Sequence, residues 1–146
     1  MTILTQGIYS FLCVVGFSII FNLPKRLIFL ASINGMLGWI VYALLQQTSF
    51  AFIIPPLIGS LVVGIFGEFC AIYKKQPATI FIIPGIIPFV PGYEIYNTML
   101  FVIENDFSNA TISGFKSLFI AISIACGVVI ATSLVKHIRL LSSIPK

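Results

Sequence analysis

Apolar residues dominate the chain in five long stretches, and short polar turns separate them. These stretches cover residues 8–23, 27–45, 50–73, 78–103 and 112–135. Each has roughly the length of ~20 residues that a helix needs to cross the hydrocarbon core of a bilayer. The pattern predicts an all-α, polytopic integral membrane protein in which five transmembrane helices form one domain over the whole chain.

Composition supports the same class and excludes several others. Of the 146 residues, 59% are hydrophobic and only 8% are charged, whereas a soluble domain has about 25% charged residues. The net charge of +4 is too small to indicate a nucleic-acid surface. The three cysteines are scattered, without the spacing of a metal or redox site. Nothing resembles a nucleophile beside a base, so we expect neither enzymatic activity nor a metal or cofactor.

The basic residues predict an orientation. With five spans, seven of the eight basic residues fall on one side of the membrane: Lys25, Arg26, Lys74, Lys75, Lys136, Arg139 and Lys146. Lys116 falls on the other side. Basic residues favour the cytosolic side of a membrane. We therefore predict that the N-terminus lies outside and the C-terminus in the cytosol.

The fourth span contains a stretch that disfavours a straight helix, Pro84–Gly92, with three prolines and two glycines in nine residues. A proline inside a helix costs ~3 kcal/mol relative to alanine, and a glycine about 1 kcal/mol. One interpretation is a kinked helix with Pro84, Pro88 and Pro91 on one face, and another is a re-entrant loop. We favour two half-helices, of which the first ends near Gly85 and the second begins near Pro91.

A break of this kind creates a binding surface. The second half-helix would point its N-terminal amides, which carry about half a positive charge, into the membrane. Transporters hold anionic substrate groups in this way. We predict a substrate pathway formed by the break, the polar cluster after it and one amide in the second span: Pro84, Gly85, Pro88, Pro91, Gly92, Tyr93, Tyr96, Asn97 and Asn34. Asn34 has an alternative role as an interhelical hydrogen-bond donor.

Two acids lie within the predicted spans. Glu94 is in the first turn of the second half-helix, where the helix dipole stabilises a carboxylate and where a protonatable group would lie beside the substrate. Glu68 precedes Lys74 and Lys75, so it either pairs with a lysine or receives a proton near the cytosol. Because an acid inside a membrane is a candidate functional group, we predict that both residues take part in proton coupling.

The stretch Gln76-Pro77-Ala78-Thr79, followed by Pro84–Gly92 and then by Tyr96 and Met99, resembles the signature of the threonine/serine exporter family. The five-span layout is similar to the small membrane subunit of its two-component members. The resemblance implies proton-driven export of small amino acids, or of dicarboxylates such as succinate, across the bacterial cytoplasmic (inner) membrane. It also implies a partner, a larger exporter subunit with five further spans and a cytosolic domain.

Glycines in the second and third spans predict close helix packing and assembly. They are Gly35, Gly38, Gly59, Gly64 and Gly67, and small residues let membrane helices approach closely. We expect a complex with the larger subunit or a homo-oligomer in the lipid bilayer. The alternative function is a non-catalytic scaffold subunit whose partner contains the whole transport site.

Overall fold

Apolar helices make up most of the described chain, and the computed structural model describes residues 3–47 and 52–142. One 3₁₀ turn, Ile87–Phe89, interrupts them. The helices are α1 (Ile3–Ile20), α2 (Lys25–Gln47), α3 (Ile54–Lys74), α4 (Thr79–Ile86), α5 (Gly92–Ile103) and α6 (Phe107–Ser142). The predicted all-α, polytopic membrane class is confirmed.

Four helices, α1, α2, α3 and α6, are each long and apolar enough to cross a membrane, and α4 with α5 forms a bent pair. The bend between the two legs is 48°. With a helix rise of 1.5 Å per residue, the outer ends of the two legs lie about 30 Å apart, which is the thickness of a hydrocarbon core. Taken together, the two legs are therefore long enough to form a fifth, broken crossing.

The break itself lies at Val90 and Pro91. Pro84 has no N–H to donate inside α4, and the chain then tightens into the 3₁₀ turn. Val90 is extended, with φ −53° and ψ 128°, and Pro91 precedes the first turn of α5 with φ −75° and ψ 56°. The prediction of two half-helices is thus confirmed. The prediction that the first half-helix ends near Gly85 is also confirmed, because α4 ends at Ile86, although Gly85 itself lies inside α4 and does not cap it.

Three helices end at a non-glycine residue in the left-handed conformation. Asn22, Lys75 and Asn105 follow α1, α3 and α5 with φ values of 54°, 53° and 60°. At each end two successive amides bond back to carbonyls of the last turn, as in a Schellman motif. These three helix ends therefore do not use glycine, whereas several glycines of α2, α3 and α6 lie at close contacts between helices.

Gly85 and Asn34 fasten the first half of the broken helix to its neighbours. A Cβ atom on Gly85 would lie 2.8 Å from Val63 Cγ1 and 3.2 Å from Asn34 Nδ2. Asn34 is fully buried, and its Nδ2 donates a hydrogen bond of 3.1 Å to the carbonyl oxygen of Phe81. The close approach and the hydrogen bond together hold α4 against α2 and α3.

The 3₁₀ turn is anchored by Phe89, whose side chain is 4% exposed. Its ring centroid lies 5.8 Å from that of Trp39 and 5.7 Å from that of Tyr42. Cβ atoms on Gly38 and Gly59 would lie 3.0 Å and 2.9 Å from ring atoms of Phe89. Gly38 and Gly59 therefore form the floor of a slot for the Phe89 ring. A side chain at either glycine would collide with this ring.

The contact between α3 and α6 also depends on small residues. A Cβ atom on Gly127 would overlap Ser60 Oγ and lie 2.5 Å from the carbonyl oxygen of Leu57, and one on Gly64 would lie 2.5 Å from Ala131 Cβ. In contrast, α5 packs chiefly on α6, and none of its residues is fully buried. Because α4 packs on α2 and α3 while α5 packs on α6, a space remains between α4 and α6.

Asp106 closes the turn between α5 and α6. Its Oδ1 accepts a hydrogen bond of 3.2 Å from the Asn109 amide, and its Oδ2 accepts one of 2.6 Å from Asn109 Nδ2. These two bonds, the backbone one above all, hold the pKa of the Asp106 carboxyl below its usual range. The negative charge is thus kept at the N-terminus of α6, where the helix dipole favours it.

Candidate functional site

A cleft between α4–α5 and α6 contains two neighbouring cavities. The first, which we call the basic cavity, has a volume of about 740 Å³ and lies at the end of the molecule where α3 and α6 end. The second, the apolar cavity, has a volume of about 930 Å³ and lies beside the break. Ile86 and Val128 line both cavities. The cleft therefore leads from one end of the molecule to the break in the fourth span.

The basic cavity collects charged side chains from the ends of two helices, α3 and α6. Lys75 comes from the end of α3, Lys136 and Arg139 come from the end of α6, and Glu68 lies one and a half turns before the end of α3. Gln76, from the turn before α4, adds an amide. Three cationic groups against one carboxylate give this end of the cleft a positive potential, which attracts small anions.

The apolar cavity is bounded by the break on one side and by small residues of α6 on the other. Val90, Pro91 and Ile95 line it from the broken span. The facing residues of α6 include Gly114, Ser117, Ala121 and Ala125. Since the first turn of α5 begins at this wall, its N-terminal end lies at the edge of the cavity, about halfway along the broken crossing.

Glu94 forms an ion pair at the contact between α5 and α6. Its Oε1 lies 2.8 Å from Lys116 Nζ, and the two side chains are 15% and 43% exposed, respectively. Ser113 Oγ of α6 donates a hydrogen bond of 3.0 Å to the Glu94 carbonyl oxygen, and Thr98 Oγ1 donates one of 2.7 Å to the same atom. The first turn of α5 is thus held to α6 through both the side chain and the backbone of Glu94.

A third space, the small pocket, lies on the other side of this α5–α6 contact. Its volume is about 170 Å³, and it is lined by Tyr42, Gln46, Phe52, Pro55, Glu94, Lys116 and Ile120. It lies towards the turn between α2 and α3, at the end of the molecule opposite the basic cavity. Glu94 and Lys116 therefore belong to the wall of the small pocket, whereas their neighbours Ile95 and Ser117 belong to the apolar cavity.

Residues 6–134 match the family model described as "Threonine/Serine exporter, ThrE". The chain belongs to the threonine/serine exporter family. It is also similar to an uncharacterized protein of Haemophilus influenzae (strain ATCC 51907 / DSM 11121 / KW20 / Rd), with 24% identity over 131 residues. That alignment covers 88% of this chain and 44% of the relative, so the chain spans less than half the relative's length. No solved structure matches the chain.

In this member of the threonine/serine exporter family, the predicted site residues separate into three groups. Asn34, Pro84 and Gly85 are buried against α2 and α3 and line neither cavity of the cleft. Pro91 lines the apolar cavity and Glu68 the basic cavity. The others lie outside the cleft: Gly92, Tyr93 and Tyr96 are exposed, and Pro88 and Asn97 are half-buried. The interhelical role is therefore the one that the geometry favours for Asn34.

Sequence reasoning missed the partner of Glu94. Lys116 was assigned to the far side of the membrane, near the start of the last span. However, α6 already begins at Phe107, so Lys116 lies about 14 Å along the helix from its start and inside the apolar segment. The signal was present: Lys116 is the one charged residue between positions 107 and 135. Since intramembrane charges usually pair with one another, Glu94 in the adjacent span was its natural partner.

Sequence reasoning also missed Phe89 and the basic cavity. Phe89 lies within the proline-rich stretch, but its aromatic neighbours come from a distant span. Lys75, Lys136 and Arg139 had been used only to orient the chain, and the fold brings them to one cavity. Basic residues on the same side of adjacent helices were the available signal for that grouping.

Proposed function

We propose that this chain is the membrane subunit of a proton-coupled secondary exporter. Its substrate is a small carboxylate-bearing metabolite, either a threonine- or serine-like amino acid or a dicarboxylate. The observation that carries the proposal is the continuous cleft, which joins a cavity with three cationic side chains to the break in the fourth span. Membership of the threonine/serine exporter family supports the same function.

The basic end of the molecule faces the cytosol in this proposal. Lys75, Lys136 and Arg139 lie at that end and also favour the cytosolic side by the positive-inside rule. The N-terminus is then outside, and the membrane is the bacterial cytoplasmic membrane. The cationic residues concentrate substrate anions at the cytosolic opening of the cleft, and the N-terminal dipole of α5 attracts the carboxylate at the break.

A partner completes the wall of the pathway. Val90, Phe115, Leu118 and Val129 line the apolar cavity and are more than 50% exposed, so the cleft is open along one side. The partner that the family resemblance implies is a larger exporter subunit with five further spans and a cytosolic domain. The greater length of the matching relative supports a need for further polypeptide. A homo-oligomer is the alternative source of this wall.

Two carboxylates provide the coupling to protons. Glu94 lies at the α5–α6 contact beside the inner end of the cleft and lines the small pocket, and Glu68 lies in the basic cavity nearer the cytosol. Their positions form a path for a proton from mid-membrane to the cytosolic side. Proton return through these groups drives export of the substrate.

The substitution Ala125→Trp tests whether the cleft conducts substrate. Ala125 is exposed and lines the apolar cavity, whereas its neighbour Cys126 is exposed and lines neither cavity of the cleft. An indole at position 125 projects into the cavity and narrows the passage between α6 and the break, so we expect export from loaded membrane vesicles to fall at least about tenfold, a change of ~1.4 kcal/mol. The matched variant Cys126→Trp should export at the normal rate.

Assembly with the partner is measured in the same preparations by co-purification. Normal export by an assembled Ala125→Trp complex would refute a pathway through this cleft and support the scaffold alternative. Equal loss of export in both variants would show that bulk on α6, and not blockage of the cavity, is responsible.

A further inference from the structure

The ion pair between Glu94 and Lys116 lies where a transport pathway must close. Glu94 is nine residues before the end of α5, and Lys116 is nine residues after the start of α6. Each is therefore about 14 Å from the turn that joins these helices, a distance of about half the thickness of a hydrocarbon core. Charges at this depth are costly unless they are paired, so neither partner can separate from the other without a replacement.

The same ion pair separates two spaces that open in opposite directions. On a helix with 100° per residue, Lys116 and Ile120 lie on one side of Ser113, and the residues of α6 that line the apolar cavity lie on the other. Ser113 itself bonds to α5. The α5–α6 contact thus forms a barrier, with the cytosol-connected cleft on one side and the small pocket on the other.

The small pocket has the size and polarity for a small charged solute. Its volume of about 170 Å³ corresponds to about five water molecules. This is room for a small amino acid but not for a peptide. Glu94 and Lys116 supply one negative and one positive charge to its wall, and Tyr42 and Gln46 supply a hydroxyl and an amide.

We propose that the Glu94–Lys116 ion pair is the outer gate of the pathway and that a zwitterionic amino acid opens it. The substrate's ammonium replaces Lys116 on Glu94, and its carboxylate replaces Glu94 on Lys116. This inference rests on the proposed function and narrows its substrate class. Both intramembrane charges stay paired during the exchange. A dicarboxylate satisfies Lys116 alone, leaves Glu94 without a cation and adds a like charge beside it, so it is rejected.

Accessibility of a cysteine at position 125 tests the gate without relying on transport. The assembled exporter is prepared in native membrane vesicles from a background in which Cys13, Cys70 and Cys126 are replaced. The reporter is Ala125→Cys in the apolar cavity, and a membrane-impermeant maleimide is the probe. Asp106→Cys should react only from outside and Lys75→Cys only from the cytosolic side, which fixes the orientation in the same experiment.

We expect the reporter to react from the cytosolic side in the empty protein. From outside it should react at least about tenfold faster when serine is present than with succinate or without ligand. Lys116→Met should give rapid outside labelling without any ligand. The charge swap, Glu94→Lys combined with Lys116→Glu, should restore protection because it rebuilds the pair. If Lys116→Met does not fold, the ligand comparison and the charge swap still decide the question.

The outcomes separate the gate from the proposed function. A reporter that reacts from neither side would refute the cleft as a pathway and, with it, the proposed function. Cytosolic reactivity combined with outside labelling that serine and succinate change equally would overturn the zwitterion gate alone. A charge-swapped protein that is labelled as rapidly as Lys116→Met would also overturn it, because the pair would then not be the barrier.

Discussion

Replacement of Gly127 by leucine is expected to prevent α3 and α6 from packing. A Cβ atom at this position already overlaps Ser60 Oγ, and it also lies 2.5 Å from the Leu57 carbonyl oxygen and 3.1 Å from the Leu61 amide nitrogen. Two of these atoms belong to the backbone and cannot rotate away, so the helices must separate. Since ordinary overpacking costs about 1–3 kcal/mol, we expect a loss of more than about 3 kcal/mol in the free energy of unfolding.

The matched control for this prediction is Gly16→Leu. No atom of a neighbouring residue lies within 4 Å of a Cβ built on Gly16, and Gly16 is exposed on α1. Fluorescence-detected size-exclusion chromatography in mild detergent should show a monodisperse peak for Gly16→Leu and aggregated or absent protein for Gly127→Leu. Indistinguishable profiles and melting temperatures would show that the α3–α6 contact can open without cost.

Replacement of Phe89 by alanine is expected to release the 3₁₀ turn from the helix bundle. The ring fills a slot between Trp39 and Tyr42, over Gly38 and Gly59. In a water-soluble core such a change costs about 3–5 kcal/mol. In this protein the side chain remains in lipid when the helices separate, so the hydrophobic transfer contribution to this cost is smaller. The cost of the lost van der Waals contacts remains. We expect about 2–3 kcal/mol of destabilisation and a loss of export, because the break is no longer held in place.

Phe119→Ala is the comparison for Phe89→Ala. Phe119 is 45% exposed on α6, so its removal leaves no closed cavity. Thermal unfolding of the assembled exporter in mild detergent should show a lower melting temperature for Phe89→Ala and little change for Phe119→Ala. If both variants unfold at the same temperature as the unsubstituted protein, the slot does not stabilise the break.

The two halves of the broken span are attached to different neighbours, and this indicates how the span can bend. Asn34 and Phe89 hold its first half to α2 and α3. Glu94 and Ser113 hold its second half to α6. The hinge at Val90–Pro91 lies between these two attachments, at the wall of the apolar cavity. A change at the ion pair can therefore move α5 relative to α6 while α4 stays in place.

The sequence alone determined the elements of this fold and the place of its break. Hydropathy and the missing proline N–H are properties of the chain itself, so the spans and the interruption at Pro84–Gly92 follow without knowledge of neighbours. The sequence also identified the glycines of α2 and α3 as contact residues. It placed the end of the first half-helix correctly to within one residue but gave Gly85 the wrong role, because a glycine that ends a helix and a glycine that lets two helices touch look alike in a single sequence.

The packing of the helices is what shows which residues face the cleft. That choice depends on the rotation of each helix about its own axis, and the rotation is fixed by contacts such as Gly127 against Ser60 and Phe89 against Gly38. These contacts join residues from distant spans, so no local pattern specifies them. The same rotations bring Lys116 within 2.8 Å of Glu94. Apolar surroundings make an unpaired charge costly, so each of these two residues needs a partner. The packing of α5 on α6 brings the two side chains close enough to pair.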